Sequence, residues 1–221
     1  MSKKISQLFS NSDLERIAEA VKIAEGKTSG EIVPFVVERS DAYESALWRG
    51  GFALSASVWL GIVLWYELGS TWFPLRLLEI LMALFLAQAI GMLLVLFVPA
   101  WRRFFAGEDA RARAVKQAAQ AAFLSEEVFK TRERTGILIF VSLLERRVEV
   151  LGDAGINAKV AQTEWEDVVQ TIVASMRAQQ PAEGLIAAIQ KCGGLLQRQG
   201  VLRRVDDADE LSNTLRMKEG E

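Results

Sequence analysis

Four acids and one arginine carry most of the chemistry this sequence offers. Glu31, Glu38, Glu145 and Asp153 have the carboxylates that would hold a hard cation, and Arg146 has the guanidinium that would neutralise a phosphate. Together these are the parts of a metal-assisted, phosphatase-like hydrolase. None of the acids sits in a dense motif such as a calcium loop, so the chain gives their order without their convergence. Each reads more readily as a solvated charge or turn residue than as a ligand, and Arg146 as a surface or cross-strand partner rather than a catalytic group.

Other chemistries drop out on composition. The chain has no histidine, which removes the usual general base, the usual zinc ligand and every Ser/His or Cys/His nucleophile. Cys192 is the single cysteine; it cannot close an internal disulfide, and it falls on an apolar helical face where it reads as buried and inert rather than as a reactive thiol. Zinc sites of the familiar kinds are excluded, leaving calcium or magnesium as the metals such acids would take, and no other cofactor is called for. There is no phosphate loop, dinucleotide fingerprint or serine-hydrolase elbow, since Gly152 and Gly155 follow a strand without the rest of any such pattern. With 26 Lys and Arg against 28 Asp and Glu, the surface lacks the basic excess a phosphate backbone requires, so no nucleic-acid partner is expected.

The segments that must position these residues are divided by two apolar runs. Gly50 to Leu68 is apolar until Glu67, and Ile80 to Val98 carries no charge and only Gln88 as a strongly polar side chain. Roughly 20 residues of helix cross about 30 Å of hydrocarbon, so both runs suffice to span a bilayer. Gly69 to Pro74 is a short turn between them, and Trp59, Trp65, Tyr66, Trp72 and Trp101 supply aromatics for the interfaces. Arg76 and Glu79, one helical turn apart, read as a mutual pair or as interface anchors. Arg39 and Arg49 precede the first run and Arg102, Arg103, Arg111, Arg113 and Lys116 follow the second, against Arg76 alone in the turn. That asymmetry predicts a multi-pass protein of the cell membrane with both soluble parts cytoplasmic. Met1 to Phe9 has two lysines but no apolar core of signal-peptide length, so a cleaved export signal is not expected.

Around the hairpin the pattern is that of one small domain split in two. Ser12 to Glu15 reads as a capping box opening a helix that runs to Gly26, and Glu31 to Glu38 as a strand, with Pro34 pointing to an edge or bulge. Phe104 to Lys130 reads as one long helix, Ile137 to Leu143 as a central strand, Leu144 to Arg146 as a hairpin connection, and Arg147 to Val150 as a half-exposed strand. The helical crossover favours parallel pairing of the first two strands, and the third then returns antiparallel. Thr163 to Glu166 reads as a second capping box, Pro181 starts a last helix ending at Gly200, and Arg203 to Glu221 reads as a frayed helix or disordered tail. The predicted organisation is therefore 1–49 and 100–200 as two parts of an α/β domain, 50–99 as a transmembrane helical hairpin, and 201–221 as a polar tail.

Arg134 to Asp153, RTGILIFVSLLERRVEVLGD, resembles the central signature of the TPM domain family: a Gly-led apolar strand, a turn with an acid and an arginine, and a strand ending in a Gly-rich turn. GEIVPFVV at Gly30 to Val37 and the helices from Thr163 to Gln197 are similar to the family's start and end. The resemblance implies a three-layer α/β/α sandwich with a mixed sheet, interrupted here by the hairpin, and roles that include phosphatase-like activity, calcium binding, photosystem repair and support of membrane-protein assemblies. On the family's motif Glu145 and Arg146 match the turn acid and arginine, and Gly152 and Gly155 the Gly-rich turn. Asp153 stands where an aromatic is usual, and Ile156 to Val160 has no counterpart of the family's acid.

Two functions follow as expectations. One is a membrane-tethered interaction or assembly module whose partners are the lipid bilayer and a membrane protein, held at raised effective concentration near the surface by its hairpin. The other is the hydrolase, with Glu145, Arg146 and Asp153 as its candidate ligand-binding residues.

Overall fold

The computed structural model describes residues 5–69, 75–201, 203 and 210–219, which contain eight α-helices and four strands. They fall into two compact units, one of Lys3–Asp41 with Ala112–Glu221, the other of Ala42–Arg111.

The first unit is an α/β/α sandwich. Helix α1 (Asn11–Glu25) starts two residues before the expected box: the Ser10 hydroxyl accepts the Asp13 N–H at 3.2 Å and the Asp13 carboxylate accepts the Ser10 N–H at 3.0 Å. Strand β1 (Ile32–Val37) pairs in parallel with β2 (Ile137–Ser142), which pairs antiparallel with β3 (Arg147–Gly152), as the crossover and hairpin patterns predict. The polar end of the chain is not all tail. β4 (Arg216–Lys218) adds to the free edge of β1 in parallel, giving the order β3-β2-β1-β4.

β4 also explains how Pro34 sits inside the sheet. The Ile32 N–H goes to the Glu25 carboxylate and the Glu38 N–H to the Lys218 carbonyl, so even-numbered amides of β1 point away from β2. Pro34 would point there too, but β4 pairs only with Phe35–Val37 and asks no donor of it.

One face of the sheet, with Ile32, Val36, Ile137 and Ile139, packs on α1, α7 (Gln162–Arg177) and α8 (Pro181–Arg198). Cys192 of α8 is fully buried there. The other face, with Val33, Phe35, Leu138 and Phe140, packs on Val115, Ala119 and Ala122 of α5 (Glu108–Ser125), and the Phe35 and Phe140 rings stack at 5.7 Å. Burial of both faces is why β1 and β2 read as unbroken apolar runs. Gly136 leads into β2 because a Cβ there would lie 2.1 Å from the Val128 carbonyl oxygen. α7 starts at Gln162 rather than after Thr163, and Glu164 accepts the Ala161 N–H at 3.3 Å.

The second unit is a helical hairpin. α2 (Glu44–Leu68) and α3 (Leu77–Phe97) have lengths of about 37 and 31 Å at 1.5 Å per residue. Both are long and apolar enough to cross a membrane, and only 6% and 17% of their most apolar windows is buried. They are antiparallel: Gly50 meets Val95, Gly51 meets Gln88, and the Ser55 hydroxyl donates to the Leu84 carbonyl. Glycine makes the approach possible, since a Cβ on Gly91 would lie 2.6 Å from the Gly50 carbonyl oxygen and 2.8 Å from Gly51 Cα. Glu79 accepts the Arg76 N–H at 3.0 Å and so caps α3. The Tyr66 hydroxyl accepts the Leu75 N–H at 3.0 Å and donates to the Leu75 carbonyl. The expected turn at 69–74, with Trp72, lies outside the described residues from 70 onward.

The expected single helix from Phe104 to Lys130 is broken. α4 (Pro99–Ala106) ends at Gly107, whose φ of 81° suits glycine, and α5 ends before Glu127, with φ 55°.

Candidate functional site

The five residues named from the sequence fall at the two ends of the sheet. At the C-terminal ends of β1 and β2, the three hydroxyl and carboxylate groups of Ser40, Ser142 and Glu145 form a chain. The Ser40 hydroxyl donates to the Ser142 hydroxyl at 2.8 Å, which donates to the Glu145 carboxylate, whose other oxygen accepts the Ser40 N–H at 3.0 Å. Glu145 is 2% exposed, although it belongs to a four-residue turn, because this chain draws it under the loop that leaves β1. The backbone repeats the connection: Leu143 and Leu144 donate to the carbonyls of Val37 and Glu38.

Beside this buried lock the surface is polar. Arg146 is exposed and holds the left-handed φ of 55° that lets the β2–β3 connection close, a position a glycine would fill without strain. Glu38 is half-buried, with its N–H and carbonyl engaged by Lys218 and Leu144. C-terminal ends of parallel strands are where open α/β sheets place their ligands.

Asp153 lies at the opposite end, just past β3. Its carboxylate receives Arg134 Nε at 2.6 Å and Nη2 at 3.0 Å and also accepts the Ala154 N–H at 2.7 Å. The Arg134 guanidinium is held above its usual range by that hydrogen bond and the attached charge. Arg134 takes a left-handed φ of 58° to reach this pose, and its side chain is half exposed while Asp153 is 5% exposed. Glu31, also buried, accepts the N–H groups of Glu210 and Leu211 and so anchors the segment that leads to β4.

β2 separates the two ends by six residues, roughly 17–20 Å of extended chain. Glu145 and Asp153 therefore do not converge on one cation, and among the described residues no three acids or Cys cluster as a metal site would need. Ser40, Ser142 and Arg134 are the partners that sequence reasoning missed. Ser142 left a signal, being the one polar residue closing the buried run of β2; Ser40 and Arg134 left none.

Residues 93–195 match the family model of the TPM domain, a stretch that starts inside α3, spans β2 and β3, and ends in α8. No curated protein matches the chain. The NMR structure of BA42 protein, from the psychrophilic bacterium Bizionia argentinensis, is similar in fold, with a TM-score of 0.59 at 19% identity over 99% of this chain and 100% of that one. At that identity the likeness is one of fold alone.

Proposed function

We propose that this TPM-domain protein is a membrane-tethered module, held at the cytoplasmic face of the cell membrane by the α2–α3 hairpin, where its α/β domain docks on a membrane-protein partner. The observation that carries the reading is the hairpin itself. Its helices are nearly bare of protein, yet they touch through glycines closely enough that the pair is a finished unit which only a nonpolar solvent would cover. The buried acids point the same way, since Glu145, Asp153 and Glu31 each accept backbone N–H groups that hold segments in place.

The test begins with alkaline carbonate extraction and flotation of the full chain. Recovery in the floated membrane fraction is expected, with tags on both termini accessible only from the cytoplasmic side. Release into the supernatant, or tags on opposite faces, would end the tether reading. For the docking step, a photo-crosslinker at Arg146 should join one membrane protein in native membranes, and a crosslinker at exposed Glu15 of α1 should not. Equal labelling from both positions would count against a defined docking edge.

The metal-assisted hydrolase is the second reading, favoured by the position of Glu145 at the C-terminal ends of the parallel strands. Phosphatase assay with magnesium or calcium is expected to stay at blank. Activity that Glu145→Gln abolishes would reverse the order of the two readings.

A further inference from the structure

The two edges of the sheet are finished differently. Along β1 each outward amide is accounted for: the Ile32 N–H goes to the Glu25 carboxylate at 2.8 Å, Pro34 has none to offer, and β4 covers Phe35–Val37. β3 forms the other edge. It pairs with β2 residue for residue from Arg147 to Gly152, with no proline and no bulge, and among the described residues no strand lies beyond it. The Asp153 N–H donates to the Gly136 carbonyl at 2.8 Å, so odd-numbered residues of β3 turn their backbone groups to β2 and even-numbered ones turn theirs outward. Asn157 donates to the Gly152 carbonyl and closes one end of that row. The N–H and C=O of Val148 and Val150 have no partner among the described residues.

Folds normally blunt such an edge, because a row of unpaired donors and acceptors is a template for another strand. This one seals β1 with a carboxylate, a proline and a strand, and does none of these at β3. The side chains define what fits there. Val148 and Val150 are half-buried and pack on the core that α7 helps to build, an apolar ledge beside the outward amides. Between them Glu149 points to the opposite face, half-buried and without an ion-pair partner among the described residues. Arg147 shares that face and is already engaged, which leaves Glu149 as the charge that recognises an added strand. A second copy of β3 in the register that pairs Val148 with Val150 would set two Glu149 carboxylates against each other, whereas a basic residue at that place would pair with it.

We propose that the membrane-protein partner docks by adding an extended segment antiparallel to β3, with a basic residue opposite Glu149 between two apolar ones. The inference rests on the docking reading above and names its mode. The outward amides of Val148 and Val150 hold the segment, and Glu149 selects it; as a non-hydrogen-bonded pair, Glu149 and the basic residue stand at the closer of the two cross-strand spacings.

The probes are the blocked peptides TVKVT and TVEVT, added to the full chain in micelles while hydrogen exchange is followed at single amides. TVKVT should slow exchange at Val148 and Val150 and leave Glu149 and Leu151, already turned to β2, unchanged. An opposite-charge pair against a like-charge one gives TVKVT roughly a fivefold preference over TVEVT, which Glu149→Lys should invert. Val148→Pro/Val150→Pro removes only outward donors, so it should keep the β2 amides protected and abolish the response to both peptides. No slowing by either peptide, or a preference that Glu149→Lys leaves unchanged, overturns the proposal. The same variants carry the Arg146 photo-crosslinker in native membranes. A product kept in the proline variant overturns strand addition and leaves docking standing, a product joining two copies of this chain overturns the choice of partner, and no product from the wild type removes docking itself. Should the proline variant lose β2 protection, Glu149→Lys with the two peptides decides.

Discussion

Glu145 is the residue on which the structural and the chemical readings give opposite signs. Replacing it by Ala removes the acceptor of the Ser40 N–H and of the Ser142 hydroxyl. A buried donor left without a partner costs about 1–3 kcal/mol; Ser40 is half-buried and can rehydrate in part, while Ser142 is 1% exposed and cannot. The expected loss for Glu145→Ala is therefore about 3 kcal/mol, or about 150-fold in the opening equilibrium of the α/β domain. Glu145→Gln keeps one acceptor oxygen and the same shape, and should lose about 1 kcal/mol. Ser142→Ala combined with Glu145→Ala should cost less than the sum of the singles by about 0.5–3 kcal/mol, because both remove the same bond. The assay is hydrogen exchange by mass spectrometry on the full chain in detergent, read on peptides covering 137–152, so that the hairpin contributes nothing to the signal. If the carboxylate were instead held for catalysis at the expense of the fold, its removal would leave stability unchanged or raise it. Exchange within about 0.5 kcal/mol of wild type for Glu145→Ala would refute the lock.

Three further outcomes follow from the geometry. Gly91→Val should destabilise the hairpin by about 1–3 kcal/mol in thermal unfolding in micelles, because its Cβ meets backbone atoms of Gly50 and Gly51 that cannot yield, whereas Gly61→Ala, with open space around it, should be neutral or stabilising; equal effects would disprove the close approach. Burial pushes the Cys192 thiol up to about 12 from 9.0, so iodoacetamide at pH 8 should label it only after unfolding; with the folded value raised, this group's contribution is whole below pH 9 and fades between 9 and about 12, and rapid labelling of native protein would contradict the burial. The Asp13 carboxyl sits below 3.8 because the Ser10 hydroxyl and then the Ser10 N–H hydrogen-bond to it; its contribution to α1 is present above 3.8 and is lost as pH falls through the lower folded value, so Ser10→Ala should flatten the acid limb of a circular-dichroism titration.

The elements that the sequence revealed are those whose pattern is set by one solvent boundary. β1 and β2 are apolar throughout because helices cover both faces, α2 and α3 because protein covers almost nothing, and each pattern is visible in a single window. What escaped depends on a single backbone angle or on distant pairing. Gly107 at φ 81° cuts one apparent helix into α4 and α5, and nothing in the helical periodicity on either side records it. β4 is three residues, Arg-Met-Lys, that look like tail until they meet the edge of β1. The capping box at Ser10 was displaced by two residues because Ser12 and Glu15 offer the same spacing as Ser10 and Asp13, and only the fold says which pair closes.

The separation of the candidate acids was, by contrast, already contained in the hairpin. An acid in the connection between two antiparallel strands and an acid just past the end of the second strand lie a full strand apart, whatever the surrounding fold does. With β3 six residues long that distance is about 20 Å, several times the span of any shared cation site. The pair Glu145 and Asp153 thus could not have been one metal site, and each needed a local partner: two serines for the first, Arg134 and a backbone amide for the second. A hydrolase built on this domain would have to work from one end of the sheet alone. The end holding Glu145 has a buried acid already bound to two donors, and at the end holding Asp153 the buried acids are engaged as well, Asp153 with Arg134, Glu31 with the Glu210 and Leu211 amides and Glu25 with the Ile32 amide. Docking asks for none of these acids to be released, which is why the interaction module is the reading this geometry supports best.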